Sequence, residues 1–242
     1  MNLSICNDYE EMSRKAGELV TGYIGKHPGA LVSFPGGTTP VGFIEAFVSA
    51  VNGGAVDISQ ACYISLDEWV GLSAEDEGSC GHFNHKHLLG RLEKPFADVH
   101  LINGVAEDIE EERRKIDRYI ASHGPLGVSV LGIGLNGHLG FNEEGVPFDA
   151  NALVLPLSPT TRQVMGKYFG QRFSPEYGIT QGLGQIMRAE MIVLLADGGH
   201  KAEILHRALK GPVTPDIPAS VLQNHPNVCV VVDKDAAREL CR

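Results

Sequence analysis

Apolar positions along the chain switch between a helical and a strand-like period, and the switches mark its elements. Behind Asp8, the residues Met12, Ala16, Leu19, Val20, Tyr23 and Ile24 recur at close to helical spacing, and Asp8 is placed to cap that helix. Gly29–Phe34 reads as a short apolar strand. Pro35-Gly-Gly-Thr-Thr-Pro40 follows, and a helix then carries Val41, Ile44, Phe47, Val48 and Val51 on one side. Thr39 is its expected N-cap, Pro40 suits the first helical position, and Asn52-Gly53-Gly54 ends it. Ala61–Leu66 is the next strand and delivers Asp67-Glu68-Trp69. An acidic, glycine-rich loop over Gly71–Gly81 leads to a helix expected over Phe83–Leu92, and Val99–Ile102 makes a brief strand. Glu107–Ser122 is a charged helix with its acids first and Arg113-Arg114-Lys115 later, the order the helix dipole favours.

The pattern then changes character. Leu126, Val128, Val130 and Leu131 form a buried strand that runs into Gly-Ile-Gly-Leu-Asn-Gly-His-Leu-Gly-Phe-Asn-Glu-Glu-Gly, residues 132 to 145. Thr160–Phe169 reads as a helix and Met191–Ala196 as a strongly apolar strand. Asp197-Gly198-Gly199 turns the chain into a helix over His200–Lys210 that Gly211 can cap, and Val228–Val232 is a last buried strand. Strands alternate with helices, and their connections are too long for hairpins. The expectation is an α/β fold: a doubly wound, mostly parallel sheet with helices on both faces. With no repeat and no Pro/Gly/Ser-rich linker, a single domain over residues 1–242 is expected.

Composition narrows the function. At 43% hydrophobic and 21% charged the chain is ordinary for a globular protein, and its net charge of −10 argues against a nucleic-acid surface or a polybasic membrane patch. Five cysteines (6, 62, 80, 229 and 241) without a CxxC pair suit reduced thiols. No signal peptide or membrane-length apolar run is visible, so a cytoplasmic protein is expected.

The candidate chemistry sits at strand ends, where ligands bind in open α/β sheets. Asn136, His138 and Glu143 lie in the glycine-rich loop, and Asp67 follows the Ala61–Leu66 strand. Partial burial near Trp69 would raise the Asp67 pKa toward a useful base. The Gly132–Gly137 run formally matches a dinucleotide fingerprint, but His-Leu-Gly-Phe-Asn-Glu-Glu-Gly-Val-Pro cannot be the helix that fingerprint needs. No acid stands near Ala152 for a ribose, so a nicotinamide or flavin site is rejected. The turn at Gly36, Gly37, Thr38 and Thr39 is no Walker loop. It serves equally as an anion site at a helix N-terminus or as a tight turn capped by Thr39. Lys201, in a first helical turn, is a surface lysine unless an anion shares that end. His82, His85 and His87 read as packing and surface residues rather than metal ligands, Cys80 as a thiol with no base beside it, and Asp197 as a turn residue.

Taken together, Pro35-Gly-Gly-Thr-Thr-Pro40, Leu66-Asp-Glu-Trp-Val-Gly-Leu72, Leu131 to Glu143 and Gly199-His-Lys-Ala202 resemble the glucosamine-6-phosphate deaminase/isomerase family, relatives of the 6-phosphogluconolactonases. The likeness covers nearly the whole chain. It implies an enzyme that takes an aminohexose 6-phosphate to the ketohexose 6-phosphate and ammonia, without a cofactor or a metal. By that resemblance His138 opens the sugar ring with Glu143 orienting it, and Asp67 carries a proton from carbon 2 to carbon 1. Gly36–Thr39 and Lys201 would hold the phosphate, with Lys167 where an arginine is expected.

Two further departures concern the substrate and the assembly. Asn136 stands where glucosamine-specific members usually have Asp; it could orient His138 but not stabilise an imidazolium by charge. Together with Leu-Asp-Glu-Trp-Val and Gly-His-Leu-Gly it tilts the resemblance toward galactosamine-6-phosphate isomerases/deaminases. The chain stops at Arg242, short of the extension of allosteric hexameric relatives, so a homo-oligomer is possible but not indicated. The alternatives are a lactonase, disfavoured by Trp69 where that branch has Arg, and a non-catalytic sugar-phosphate sensor.

Overall fold

In the computed structural model, which describes residues 1–163, 173 and 175–240, the chain opens with β1 (Asn2–Cys6), α1 (Tyr9–Lys26), β2 (Leu31–Ser33) and α2 (Val41–Asn52). Next come β3 (Cys62–Ile64), β4 (Asp67–Trp69), α3 (Cys80–His87), β5 (Asp98–His100), α4 (Ile109–His123) and β6 (Val128–Gly132). β7 (Leu153–Pro156), a helical stretch at 159–163, β8 (Tyr177–Thr180) and the one-turn α5 (Leu183–Ile186) follow. The chain closes with β9 (Met191–Ala196), α6 (Ala202–Lys210), β10 (Val228–Asp233) and α7 (Lys234–Ala237).

Seven strands form one sheet in the order β1-β10-β9-β6-β2-β3-β5, and every neighbouring pair is parallel. This is the expected doubly wound architecture. Successive side chains of a strand point to opposite faces, so a sheet covered on both sides needs apolar residues at every position. β9 meets that demand: all six of its residues are buried. Ile192 and Leu194 join one core with Ile116 and Ile120 of α4 and Leu205 of α6, while Val193 and Leu195 join the other with Met12 and Val20 of α1 and Phe43 and Phe47 of α2. Each such side chain contributes about 1.5–3 kcal/mol of burial. The α1 cap is as expected, with the Asp8 carboxylate accepting from the Glu11 amide at 2.8 Å.

Four strands depart from the sequence expectation. β1 is an edge strand whose Leu3 and Ile5 stay exposed, so it lacks the apolar signature of its neighbours. β4, β7 and β8 build a second, antiparallel sheet in the order β4-β8-β7. Asp67 therefore lies not in a loop but at the first position of β4, opposite Thr180, with Trp69 opposite Gly178. A side chain at Gly178 would run into the Phe141 ring, which packs tilted against Trp69 with ring centroids 4.5 Å apart. Thr39 is not the cap of α2 either. Pro40 takes the N-cap position with no side-chain bond, because the Thr39 hydroxyl is engaged elsewhere. α3 begins three residues earlier than expected, its end capped by Ser79 accepting from the His82 amide at 2.9 Å. Among the described residues no helix is long and apolar enough to cross a membrane.

Candidate active site

The parallel sheet delivers β2, β3, β6 and β9 side by side, and the segments leaving their C-terminal ends carry the candidate residues. Glycine makes the central loop possible. Gly137 and Gly140 have φ of +87° and +56°, and a Cβ at Gly134 would overlap the His138 imidazole, which lies against that backbone. A Cβ at Gly140 would come within 3.4 Å of Asp67 Oδ2, so the loop backbone packs directly on that carboxylate.

His138 and Glu143 meet as the resemblance implies. His138 Nδ1 lies 3.6 Å from Glu143 Oε2. Asn136 has a different task from the expected one. Its Nδ2 donates to Glu143 Oε2 at 2.9 Å and to Ser158 Oγ at 3.4 Å, and its Oδ1 accepts from the His138 amide, so it orients the glutamate and not the imidazole ring. The other glutamate oxygen, Oε1, accepts from the Ser158 amide at 3.1 Å and the Thr161 hydroxyl at 2.5 Å. Burial raises the Glu143 carboxyl, but His138 beside it, together with the hydrogen bonds from Thr161 and Asn136, outweighs burial and holds the pKa at about 2. Glu143 is therefore a fixed anion.

Asp67 is the opposite case. Burial pushes its pKa up to about 6, against lowering by a hydrogen bond from the Cys80 thiol and by the charge of His138. A carboxylate held near neutrality, dry, and facing an imidazole can take and return a proton. The thiol that touches it is itself pushed well above its ordinary value by burial and the two flanking carboxylates, so it stays protonated and donates. The expectation that no base stands beside Cys80 is thus corrected, since the chain turn at Ser79–Gly81 folds back on β4. Glu68 makes that fold-back: its buried carboxylate accepts from the amides of Trp69, Cys80 and Gly81 at 2.7, 3.0 and 2.6 Å.

The glycine-rich turn joins the same edge. A Cβ at Gly36 would sit 3.9 Å from the Cys80 sulfur, which places this backbone beside that thiol, and Gly37 takes a φ of +105°. Thr38 lends only its carbonyl, to the Val41 amide and the Tyr9 hydroxyl. The Thr39 hydroxyl donates to Asp197 Oδ1 at 2.5 Å, across the end of β6. Asp197 is therefore more than a turn residue. Lys201, at the end of a 3-10 turn over Gly199–Lys201, donates from Nζ to the Ile133 carbonyl at 2.5 Å. Lys167 lies outside the described residues. His82, His85 and His87 lie on α3, where His87 packs against Phe83, and among the described residues no group of three or more His, Cys, Asp or Glu could hold a metal.

The sequence reading passed over Thr161 and Ser158. A signal was available: Ser158-Pro-Thr-Thr161 is an N-cap pattern, and Ser158 Oγ indeed accepts from the Thr161 amide.

The chain is similar to known proteins in sequence and in fold. The family model for glucosamine-6-phosphate isomerases/6-phosphogluconolactonase matches residues 9–231. A glucosamine-6-phosphate deaminase of Thermoanaerobacter pseudethanolicus is 37% identical over 238 residues, 98% of this chain and 94% of that one. One from Streptococcus agalactiae is 40% identical over 205 residues, covering 84% and 85% of the two chains. Among solved structures, a monomeric glucosamine-6-phosphate deaminase superimposes with a TM-score of 0.95 at 31% identity, covering 99% of this chain and 100% of that one. The 6-phosphogluconolactonase of Trypanosoma brucei, at 17% identity and a TM-score of 0.77 over 99% and 98% of the chains, shares the fold. The chain belongs to the glucosamine-6-phosphate isomerase/6-phosphogluconolactonase family.

Proposed function

We propose that this protein is an aminosugar-6-phosphate deaminase that converts glucosamine 6-phosphate and water to fructose 6-phosphate and ammonia. The observation that carries the reading is the pair formed by a near-neutral, buried Asp67 and a His138 backed by the fixed anion Glu143. His138 moves a proton from the carbon-1 hydroxyl to the ring oxygen, which opens the ring. Asp67 then takes the proton from carbon 2 and returns it at carbon 1 through an enediol-type intermediate that still bears the amine. Water adds at carbon 2, ammonia leaves, and the ketone remains. The backbone of Gly36–Thr39 and Lys201 anchor the phosphate, which holds the open chain against the two proton-transfer groups.

Glucosamine is preferred over galactosamine on two grounds. The similar deaminases named above act on glucosamine 6-phosphate, and Asn136, one of the features behind the tilt to the galacto epimer, spends its amide on Glu143 and Ser158. The test is ammonia release from the two epimers side by side, with hydrolysis of 6-phosphogluconolactone as control. Release from glucosamine 6-phosphate at the higher kcat/KM is expected. Faster turnover of the galacto epimer would reverse the substrate assignment, and lactone hydrolysis without ammonia from either sugar would move the protein to the lactonase branch.

A further inference from the structure

Counting protons around Glu143 fixes which nitrogen of a neutral His138 keeps its proton. The Thr161 hydroxyl has a single proton, and its 2.5 Å contact with Glu143 Oε1 commits that proton to a carboxylate that accepts only. The Thr161 oxygen can then only accept from its other neighbours. Those neighbours are Ser158 Oγ at 3.1 Å and His138 Nδ1 at 3.3 Å. The second group facing Nδ1 is Glu143 Oε2, again an acceptor, at 3.6 Å. An imidazole nitrogen set between two acceptors must carry the proton. Nε2 is then the nitrogen that exchanges a proton with substrate, and among the described residues it has no hydrogen-bond partner.

We infer that Thr161 is a positioning residue that holds His138 in the Nδ1-protonated tautomer and presents Nε2 to the sugar. Thr161 is the nearer of the two acceptors, and it is buried, so water does not compete for the place. Thr161, like Ser158, comes from outside the strand-end loop. It sits in the helical stretch 159–163, whose first turn is tied down by Ser158. The Asn136–Glu143–Ser158–Thr161 ring therefore couples the position of that helical stretch to the proton inventory of the imidazole. If the stretch moves, His138 loses its nearer acceptor. The catalytic consequence rests on the proposed deaminase reading; the tautomer does not.

The experiment is nitrogen-15 NMR of His138 in the ligand-free protein, for the wild type, Thr161→Val and Thr161→Ser. In spectra taken at a pH high enough to leave the imidazole neutral, the wild type and the serine variant are expected to show a protonated Nδ1 and a bare Nε2. The valine variant, close in volume but without the hydroxyl, is expected to shift toward the Nε2-protonated form. If valine does not fold there, Thr161→Ala carries the same comparison. In turnover, the valine variant is expected to lose about 10- to 100-fold in kcat, the equivalent of one hydrogen bond to a charged group, with KM little changed and serine restoring the rate. A wild-type imidazole spectrum in the valine variant overturns the inference, whatever the rate does. Because the spectrum needs no substrate, that failure is distinguishable from an absence of deaminase activity.

Discussion

Burial raises the Asp67 carboxyl toward neutral pH, which is what the proposed proton transfer from carbon requires. The same burial costs stability. Its folded pKa of about 6 lies above the ordinary 3.8, so between those values the folded state binds more protons than the unfolded chain. Stability contributed by Asp67 is therefore present below about pH 4 and lost as pH rises through about 6. Asp67→Asn is expected to raise stability at pH 8 by about 2–3 kcal/mol, with the gain vanishing near pH 4; calorimetry at the two pH values checks it. Equal melting at both would mean that burial does not strain this carboxyl. Glu143 has the opposite sign. Held at about 2, it stabilises the fold above its ordinary value and gives that up only as pH falls toward 2. At this scale the sequence placed Asp67, His138 and Glu143 near one sheet edge, because strand-end position is readable from hydrophobic runs. It did not disclose what Asn136 or Cys80 touch. Those contacts depend on glycine torsions in one loop and on Glu68 pulling the start of α3 onto β4.

Elements were legible in proportion to their own hydrophobic signal. β6, β9 and β10 announce themselves because both faces are buried, and α1 because its cap and stripe agree. β4, β7 and β8 do not. They run three or four residues, β7 ends at Pro156, β8 contains Gly178, and the partners Asp67 and Thr180 are far apart in sequence. The central strand also predicts its own cost: Leu194→Ala should destabilise the protein by about 2–5 kcal/mol in urea unfolding, since the cavity would open between β9 and the core shared with α4 and α6. A smaller loss would mean that the helices close over the gap. Between elements, the bond from Thr39 to Asp197 ties the turn after β2 to the turn after β9. A phosphate that uses the Thr39 hydroxyl as donor must displace that acid. Asp197→Ala, which leaves Thr39 no side-chain acceptor there, is therefore expected to lower KM for the sugar phosphate about fivefold, roughly 1 kcal/mol for one released hydrogen bond, at unchanged kcat. A raised KM would instead make Asp197 part of the anchor.

For the whole molecule, an acidic chain of net charge −10 that handles a sugar phosphate must rely on local donors, and the topology gathers them. Parallel strands β2, β3, β6 and β9 bring the glycine turn, Asp67, the His138 loop and Lys201 to one edge, and the second sheet holds Asp67 there as the first residue of β4. The alternation of strands and helices made the parallel sheet readable, and the order of four short motifs made the family readable. The second sheet was readable in neither. The central claim is that this edge deaminates an aminohexose phosphate by way of Asp67. It is tested most directly by measuring ammonia and fructose 6-phosphate formed from glucosamine 6-phosphate by the wild type and by Asp67→Asn. Equal amounts of the two products from the wild type, and a rate lower by about 10²–10⁴-fold in a folded Asp67→Asn, are the predicted result. Ketose without ammonia, no turnover by the wild type, or undiminished turnover by Asp67→Asn would contradict it.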